Sequence, residues 1–534
     1  MIKPRQRLSR PVLGLIVAGF LAVGYAGVWW FAGRAAGTVV PLDVEKATIS
    51  GSASVISDSA TSGGLAIKFG DAGVKASHLP FDLPPQSVLK ASNKLVFSHY
   101  FPPYPISKDN KPSTIDYFEL NYIAPTGEAG KYLAIGGLVR ERPMPRAVDP
   151  DSANYLFNDM KTEVLRASNA GLDGFAADIL GTEGSPNWDR IKILMKAAPV
   201  ADPNFKIMIR PSCTEAGVES GVVAFAASIA SLAKDPVYNK SLYKLPDGRL
   251  VISPFAPDIQ GAQWWSDWMA EMKNVHGIDV AFFPSLLNAS TANKDAFAPI
   301  SIGLGNWGKR NPAGNQNLSA NIIDVHNRGK MWMQPVITMD TRPKDSIYDE
   351  AYNTENLRLM WSAAINHGAD WVDHVTWNDY SEHTEFSPST HIGWGPLNIS
   401  SYYITWFKTG TPPPIVRDVL YLSHRIQPYA ALPTGGQTSL MQLRSGSSPP
   451  RDTVEVLSFL TAPASVTVKV GGNTYTYDAP AGLFAKTYPL AIGNVSATAV
   501  RGGTSAAEVL SPFPVVAAPV VQDLNYYFSI SGRQ

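Results

Sequence analysis

Short apolar runs alternating with amphipathic stretches fill the chain from about residue 93 to residue 414. Eight runs read as strands: LVFSHY (95–100), GFAADIL (174–180), KIMIRPS (206–212), LVISPFA (250–256), DVAFFPSLL (279–287), APISIGLGNW (298–307), KMWMQPVI (330–337) and WVDHVTW (371–377). Helix-period patterns such as NYLFNDMKTEVLRASNAG and TENLRLMWSAAINHGAD lie between several of them. Strands and helices in this alternation predict an α/β class fold, a (β/α)8 TIM-like barrel over 91–414. A doubly wound sheet is the alternative, but no Gly-rich dinucleotide fingerprint follows any strand. After TPPPIVRD the period becomes two: DTVEVLSFL, SVTVKVG, NTYTYDA and VSATAVRGG predict an all-β sandwich over 415–534. Pro412–Pro414 mark the boundary.

The N-terminal end has a different pattern. Lys3, Arg5, Arg7 and Arg10 make a basic tail (1–10) before an uncharged run, 11–33. A bilayer span needs about 20 apolar residues, so this run is long enough. The basic flank sets the N-terminus in the cytoplasm, with Trp29 and Trp30 at the outer interface. A single-pass transmembrane anchor is expected, placing the rest of the chain outside the cell membrane. The alternative is a cleaved signal peptide with its site near Ala35 and Ala36, which would make the protein secreted. Residues 34–90 are Ser-, Gly- and Ala-rich with brief alternation, and read as a linker with a short β segment.

Composition narrows the partners. Acids and bases balance at 45 each and charged residues are 17% of the chain, so no global field recruits nucleic acid. A neutral polysaccharide fits that balance. Aromatics at 10% suit sugar stacking, although a large barrel buries many aromatics in any case. The single cysteine, Cys213, rules out an internal disulfide, a thiolate metal site and a lipobox anchor. It reads as a small packed residue at a strand end. A monomer needing no metal and no cofactor is expected.

Barrel chemistry collects at the C-terminal strand ends. The first strand ends in His99, Tyr100 and Phe101, with Tyr104 beyond; the second reaches Asp178 and the third Arg210. Asp258 follows the fourth, Asn306 and Trp307 end the sixth, and Asp340 and Arg342 follow the seventh. The eighth ends in Trp377, Asn378, Asp379, Tyr380 and Glu382. Carboxylates, a histidine, an arginine and flat rings are what glycoside cleavage requires: an acid for the leaving oxygen, a second carboxylate for water or attack, and platforms for sugars.

The run W-N-D-Y-S-E at 377–382 resembles the W-N-D-Y-G-E signature of glycoside hydrolase family 71, the endo-α-1,3-glucanases or mutanases. LVFSHYF resembles the family's first strand, AGLDGFAADI (170–179) its A-G-I-D-x-F-A-L-N-I stretch, and YYITWFKTGTPP (402–413) its closing helix. The resemblance covers roughly 93–530. It implies an inverting endo-acting hydrolase of α-1,3-glucan with Asp379 and Glu382 as the catalytic pair. Glu382, further out on the loop, is the choice for general acid. Asp173 matches an Asp of the second-strand motif and is given an assisting catalytic role. Three departures stand out: Ser381 replaces Gly, Asp178 stands where Asn is frequent, and HTEFSPST replaces S-H-Y.

Each residue also has a plainer reading. Asp379 could cap a turn and Glu382 could be a solvated loop residue. Carboxyls three apart on a helix sit too close for inversion, whose pair needs about 6.5–9.5 Å, so 379–382 should be an irregular loop. Strand alternation puts Ala176 and Asp178 on one face and Phe175, Ala177 and Ile179 on the other. Asp178 then points into the barrel mouth, as a substrate ligand or a buried ion-pair partner. His99 binds a sugar hydroxyl or satisfies the core. Arg210 orients a carboxylate or makes a structural ion pair. Tyr100 and Asn378 are counted as substrate-binding, and Trp307, Trp377 and Tyr380 as sugar platforms, with core packing claiming at least one of the three. The faces of Asp373 and His374 stay open. Two other functions are consistent with the residues: a related barrel hydrolase acting on another polysaccharide such as an α-mannan, and a non-catalytic glycan-binding surface protein.

Overall fold

The computed structural model describes residues 53–57, 65–69, 78–214 and 217–532. The expected anchor or signal run (11–33) lies outside them. Ala53–Ser57 and Leu65–Phe69 pair as an antiparallel hairpin, Ala53 opposite Phe69. It belongs to a unit separate from residues 76–534 and is described by itself.

The larger unit begins with a parallel sheet. Its strands are β1 (Leu95–Tyr100), β2 (Gly174–Ile179), β3 (Lys206–Pro211), β4 (Leu250–Ile252), β5 (Val280–Phe282, resuming at Ser285–Leu286), β6 (Gly303–Asn306), β7 (Met331–Val336) and β8 (Trp371–His374). Counted as nine pieces, the sheet starts and ends on the two halves of β5. The first half pairs with β4 and the second with β6, so the curl closes into a ring. Pro284 separates the halves, and its carbonyl still accepts from Gly305 N at 2.9 Å. Helices 155–169, 186–201, 222–234, 262–274, 291–297, 318–327, 355–366 and 395–409 follow the strands in turn.

The ring has two cores because successive residues of a strand face opposite sides. Phe97, Ala176, Met208, Val251, Ala281, Phe283, Met333 and Trp371 pack together inside it. Val96, Phe175, Ile207, Ile209, Ile252 and Trp332 join the larger cluster under the helices. Gly303 takes an inner position because a Cβ there would lie 2.5 Å from the Phe283 ring.

Two four-stranded antiparallel sheets follow, ordered 482–489, 453–460, 419–424, 527–530 and 473–479, 464–470, 495–501, 504–510. Alternating residues such as Leu420, Val456, Val466, Val468 and Ala497 fill the space between them. Three strands of the first sheet, 453–460, 419–424 and 527–530, are buried on both faces, while 482–489 lies at its more exposed edge. The sheet's outer side packs on the barrel's last helix, where Tyr402 meets the Phe459 ring edge-on at 5.2 Å. A small arm ties the parts further: strand 442–443 pairs with 347–349 from the loop between β7 and β8.

Candidate active site

Inward-facing residues at the C-terminal strand ends form a connected polar layer beneath the barrel mouth. Arg210 on β3 is fully buried. Its Nη1 meets Asp373 Oδ2 at 2.6 Å and donates toward His99 Nδ1 at 3.3 Å, while Nε bonds Ser253 O at 3.2 Å. A guanidinium cannot accept, so His99 Nδ1 is the acceptor and its proton sits on Nε2. That Nε2 lies 3.6 Å from Asp178 Oδ2. Burial first, then the Arg210 charge, hold the imidazole neutral, well below its ordinary pKa. Trp307 stands edge-on to His99 at 4.9 Å. Asp373 faces inward, whereas His374 faces the helices and stacks on Phe386 at 4.0 Å.

The loop after β8 carries the two signature carboxylates. It folds back on itself: Thr376 N donates to Thr384 O at 2.9 Å, Phe386 N to Thr376 O at 3.0 Å, and Ser387 N to Trp377 O at 2.8 Å. Residues 380–383 form a turn, not a helix, closed by Thr384 N on Asp379 O at 3.3 Å. Asp379 Oδ1 caps this turn, accepting from Ser381 Oγ at 2.7 Å, Ser381 N at 3.0 Å and Glu382 N at 3.2 Å. The serine that replaces glycine therefore supplies a hydroxyl donor to the carboxylate. His383 has φ +51°, a conformation uncommon outside glycine. Its ring is clamped there: Nδ1 donates to Thr341 O at 2.7 Å and Nε2 accepts from Arg140 N at 2.9 Å.

Glu382 points across to the segment after β7. Its Oε1 lies 2.5 Å from Arg342 Nη1, and its Oε2 has no hydrogen-bond partner among the described residues. Arg342 also grips Asp340 with Nε and Nη2, at 2.7 and 2.6 Å. Burial pushes the Glu382 carboxyl up to about 8, with Arg342 pulling down and Asp379 and Asp340 pushing up. Its side chain keeps 22% of its surface open, against 6% for Asp379 as a residue. Burial also raises Asp379, against the Ser381 hydroxyl, Arg342 and the capping amides. Both carboxyls lie on one short turn, burial raises both, and the Asp379 charge further disfavours ionisation of Glu382.

Several expected ligands sit elsewhere. Asp173 is at the opposite end of the barrel: it precedes β2, pairs with Lys408 at 2.6 Å and Lys90 at 3.8 Å, and accepts from Val96 N at 2.7 Å. It anchors the floor and is remote from the mouth. Tyr100 follows inward His99 and so points outward, donating to Met160 Sδ at 3.0 Å and tilting on Phe175 at 5.1 Å. Trp377 is fully buried against Phe175, ring centroids 5.0 Å apart. Tyr380 is fully buried among Tyr104, Phe118 and Tyr122, so neither ring is a platform. Asn378 bonds backbone with both ends of its amide: Oδ1 accepts from Phe101 N at 2.7 Å, and Nδ2 donates to Phe101 O at 3.0 Å and Tyr104 O at 2.8 Å. It splices the loops after β8 and β1 and is fully buried, out of reach of a sugar. His99, Asp178, Trp307, Asp379 and Glu382 remain on the mouth side.

Sequence reading placed Asp340 and Arg342 after the seventh strand without giving either a role, and did not single out Arg310, Arg444 or His383. Asp340 and Arg342 follow β7, the position where barrel chemistry is expected, and that was the available signal. No group of His, Cys, Asp and Glu among the described residues could hold a metal ion.

Residues 149–529 match the sequence model described as Glycosyl hydrolase family 71. A mutanase of Penicillium rubens is 27% identical over 198 residues, 33% of this chain and 42% of that protein. The ascus wall endo-1,3-alpha-glucanase of Schizosaccharomyces pombe is 22% identical over 423 residues, 70% of this chain and 93% of that protein. Among solved structures, a GH99 endo-alpha-mannosidase from Bacteroides thetaiotaomicron superposes with a TM-score of 0.46 at 14% identity, covering 59% of this chain and 97% of that one.

Proposed function

The chain belongs to glycosyl hydrolase family 71, and from that premise we propose that it hydrolyses α-1,3-glucan internally and with inversion, Glu382 acting as general acid and Asp379 as general base. The observation that carries this reading is the placement of both carboxyls on one turn at the barrel mouth, with Glu382 reaching Arg342 and Asp379 held by the turn's own donors. The linkage is supported by the two relatives, a mutanase and an endo-1,3-alpha-glucanase.

Inversion is a single displacement. Water attacks the anomeric carbon from the face opposite the leaving oxygen and loses a proton to Asp379. The glycosidic bond breaks as Glu382 gives its proton to the departing oxygen. The raised pKa of Glu382 keeps that proton available near neutrality. Asp379 Oδ1 is committed to the turn cap, so Oδ2 is the atom assigned to water. The neutral His99, its Nε2–H fixed by Arg210, is assigned as a donor to a substrate hydroxyl, with Asp178 beside it as acceptor and Trp307 as the apolar wall. A cell-surface location, through the uncharged run 11–33, belongs to the same reading.

Reducing-end release from a panel of α-1,3-glucan, α-1,4-glucan and α-mannan tests it. Release from α-1,3-glucan that is absent in Glu382→Gln is expected. Equal release by wild type and Glu382→Gln would remove the assignment, and preference for α-mannan would replace the substrate.

A further inference from the structure

Asp340 is the most heavily paired carboxylate near the mouth. It is completely buried, and three guanidiniums converge on it. Arg342 binds it bidentately at 2.7 and 2.6 Å, Arg310 Nε approaches to 2.9 Å, and Arg444 Nη2 stands at 3.6 Å. These arginines come from three places: the segment after β7, the loop after β6, and the arm beyond strand 442–443. Arg444 is fixed in turn by Asp349, with Nε 2.5 Å from Oδ2. The same Arg342 whose Nε and Nη2 serve Asp340 presents Nη1 to Glu382 at 2.5 Å.

A lone arginine in contact with a buried glutamate favours the carboxylate, which would disable a general acid. We propose that Asp340 is a positioning residue that clamps and neutralises Arg342, so that Arg342 orients Glu382 while leaving it free to carry its proton. The inference rests on the reading of Glu382 as the acid.

The charges around Glu382 fit this role. Arg342 touches it and Arg310 acts on it from the β6 loop, both meeting Asp340, to which Arg444 of the arm and, through Arg444, Asp349 are joined. Asp379 faces it from its own loop, and His383 next to it is held neutral, burial pushing it down to about 4. Asp345 is a half-exposed neighbour, 3.9 Å from Arg342 at the rim. Leaving the solvated Asp345 aside, three cations balance Asp340, Asp349 and an ionised Asp379 when Glu382 is protonated. Ionising Glu382 leaves an uncompensated negative charge, and deleting the Asp340 charge leaves an uncompensated positive one.

The test is the pH dependence of kcat on α-1,3-glucan for wild type, Asp340→Asn and Arg310→Gln. Unbalancing Arg342 stabilises the ionised acid, so the alkaline limb of Asp340→Asn should fall by about one pH unit. Removing the Arg310 charge should move the same limb upward, by about half a unit. A role limited to packing lowers the plateau and moves neither limb. Alkaline limbs within about 0.2 unit of wild type in both variants would overturn the inference, as would a shift confined to the acidic limb. Should Asp340→Asn fail to fold, the sign of the Arg310→Gln shift decides alone. An inactive wild type sinks the functional reading itself; an active wild type with unmoved limbs sinks this inference alone.

Discussion

The mouth of the barrel and the rest of its wall hold the same kinds of buried acid and use them differently. Glu163, on helix 155–169 behind β1, is pushed by burial to about 8, as Glu382 is. Each has one carboxyl oxygen without a partner among the described residues, but Glu163 is 1% exposed and shut against Tyr100, while the Glu382 side chain keeps 22% of its surface open. Asp173 at the floor and Asp340 at the mouth are both gripped by cations. The floor pairs, to Lys408 and Lys90, end in the core, while the Arg342 that grips Asp340 also reaches the partly exposed Glu382 carboxyl. A perturbed acid therefore does not mark a site by itself. What distinguishes the mouth is access combined with a second carboxyl on the same turn.

The sharpest way to break this contrast is at Glu382 and Asp379. Glu382→Gln or Asp379→Asn should cost about a thousandfold in kcat, the scale of lost proton transfer, with the melting temperature little changed. Steady-state rates and calorimetry on the same samples read both. At the floor the pattern should reverse. Asp173→Asn leaves Lys408 buried without its partner, and should cost about 3–5 kcal/mol of stability by urea unfolding with kcat per folded molecule intact. Trp377→Ala belongs with it, at about 3–5 kcal/mol, because that ring is core.

Smaller effects sharpen the picture. Trp307→Ala, at the wall beside His99, should raise KM about tenfold and leave the pH profile in place. Activity should fall as pH rises through about 8, where Glu382 loses its proton. Glu163 gives a stability signature instead. Its folded pKa lies above its ordinary value of 4.5, so its contribution is whole below about 4.5 and is lost as pH rises toward about 8. Melting temperature should decline across that window, and Glu163→Gln should flatten the decline without touching kcat.

Much of the fold was legible from periodicity alone. The eight strand segments fall on β1–β8, though β4, β5, β6 and β8 come out shorter than their apolar runs. Pro284 interrupts β5, and residues 298–300 coil into a single turn before β6. Parity decides the site residues. His99 and Tyr100 are neighbours on one strand and cannot both face inward, so naming both as ligands contradicted the alternation that placed Asp178. Beyond His374 the chain leaves the strand and parity no longer applies, which is why Asn378 and Tyr380 read as ligands yet fold into backbone bonds and core. Asp173 precedes β2, and residues before a strand belong to the floor. The Arg342–Glu382 contact joins the loops that follow the paired strands β7 and β8, and it depends on how both loops fold back, for which there is no local signal.

The central claim is a single-displacement cleavage by the Asp379 and Glu382 pair, and a proton NMR time course of anomers released from α-1,3-glucan tests it most directly. The account predicts that the β-anomer appears first and the α-anomer grows in only by mutarotation. Initial release of the α-anomer, or unchanged release by the Glu382→Gln variant, would contradict it.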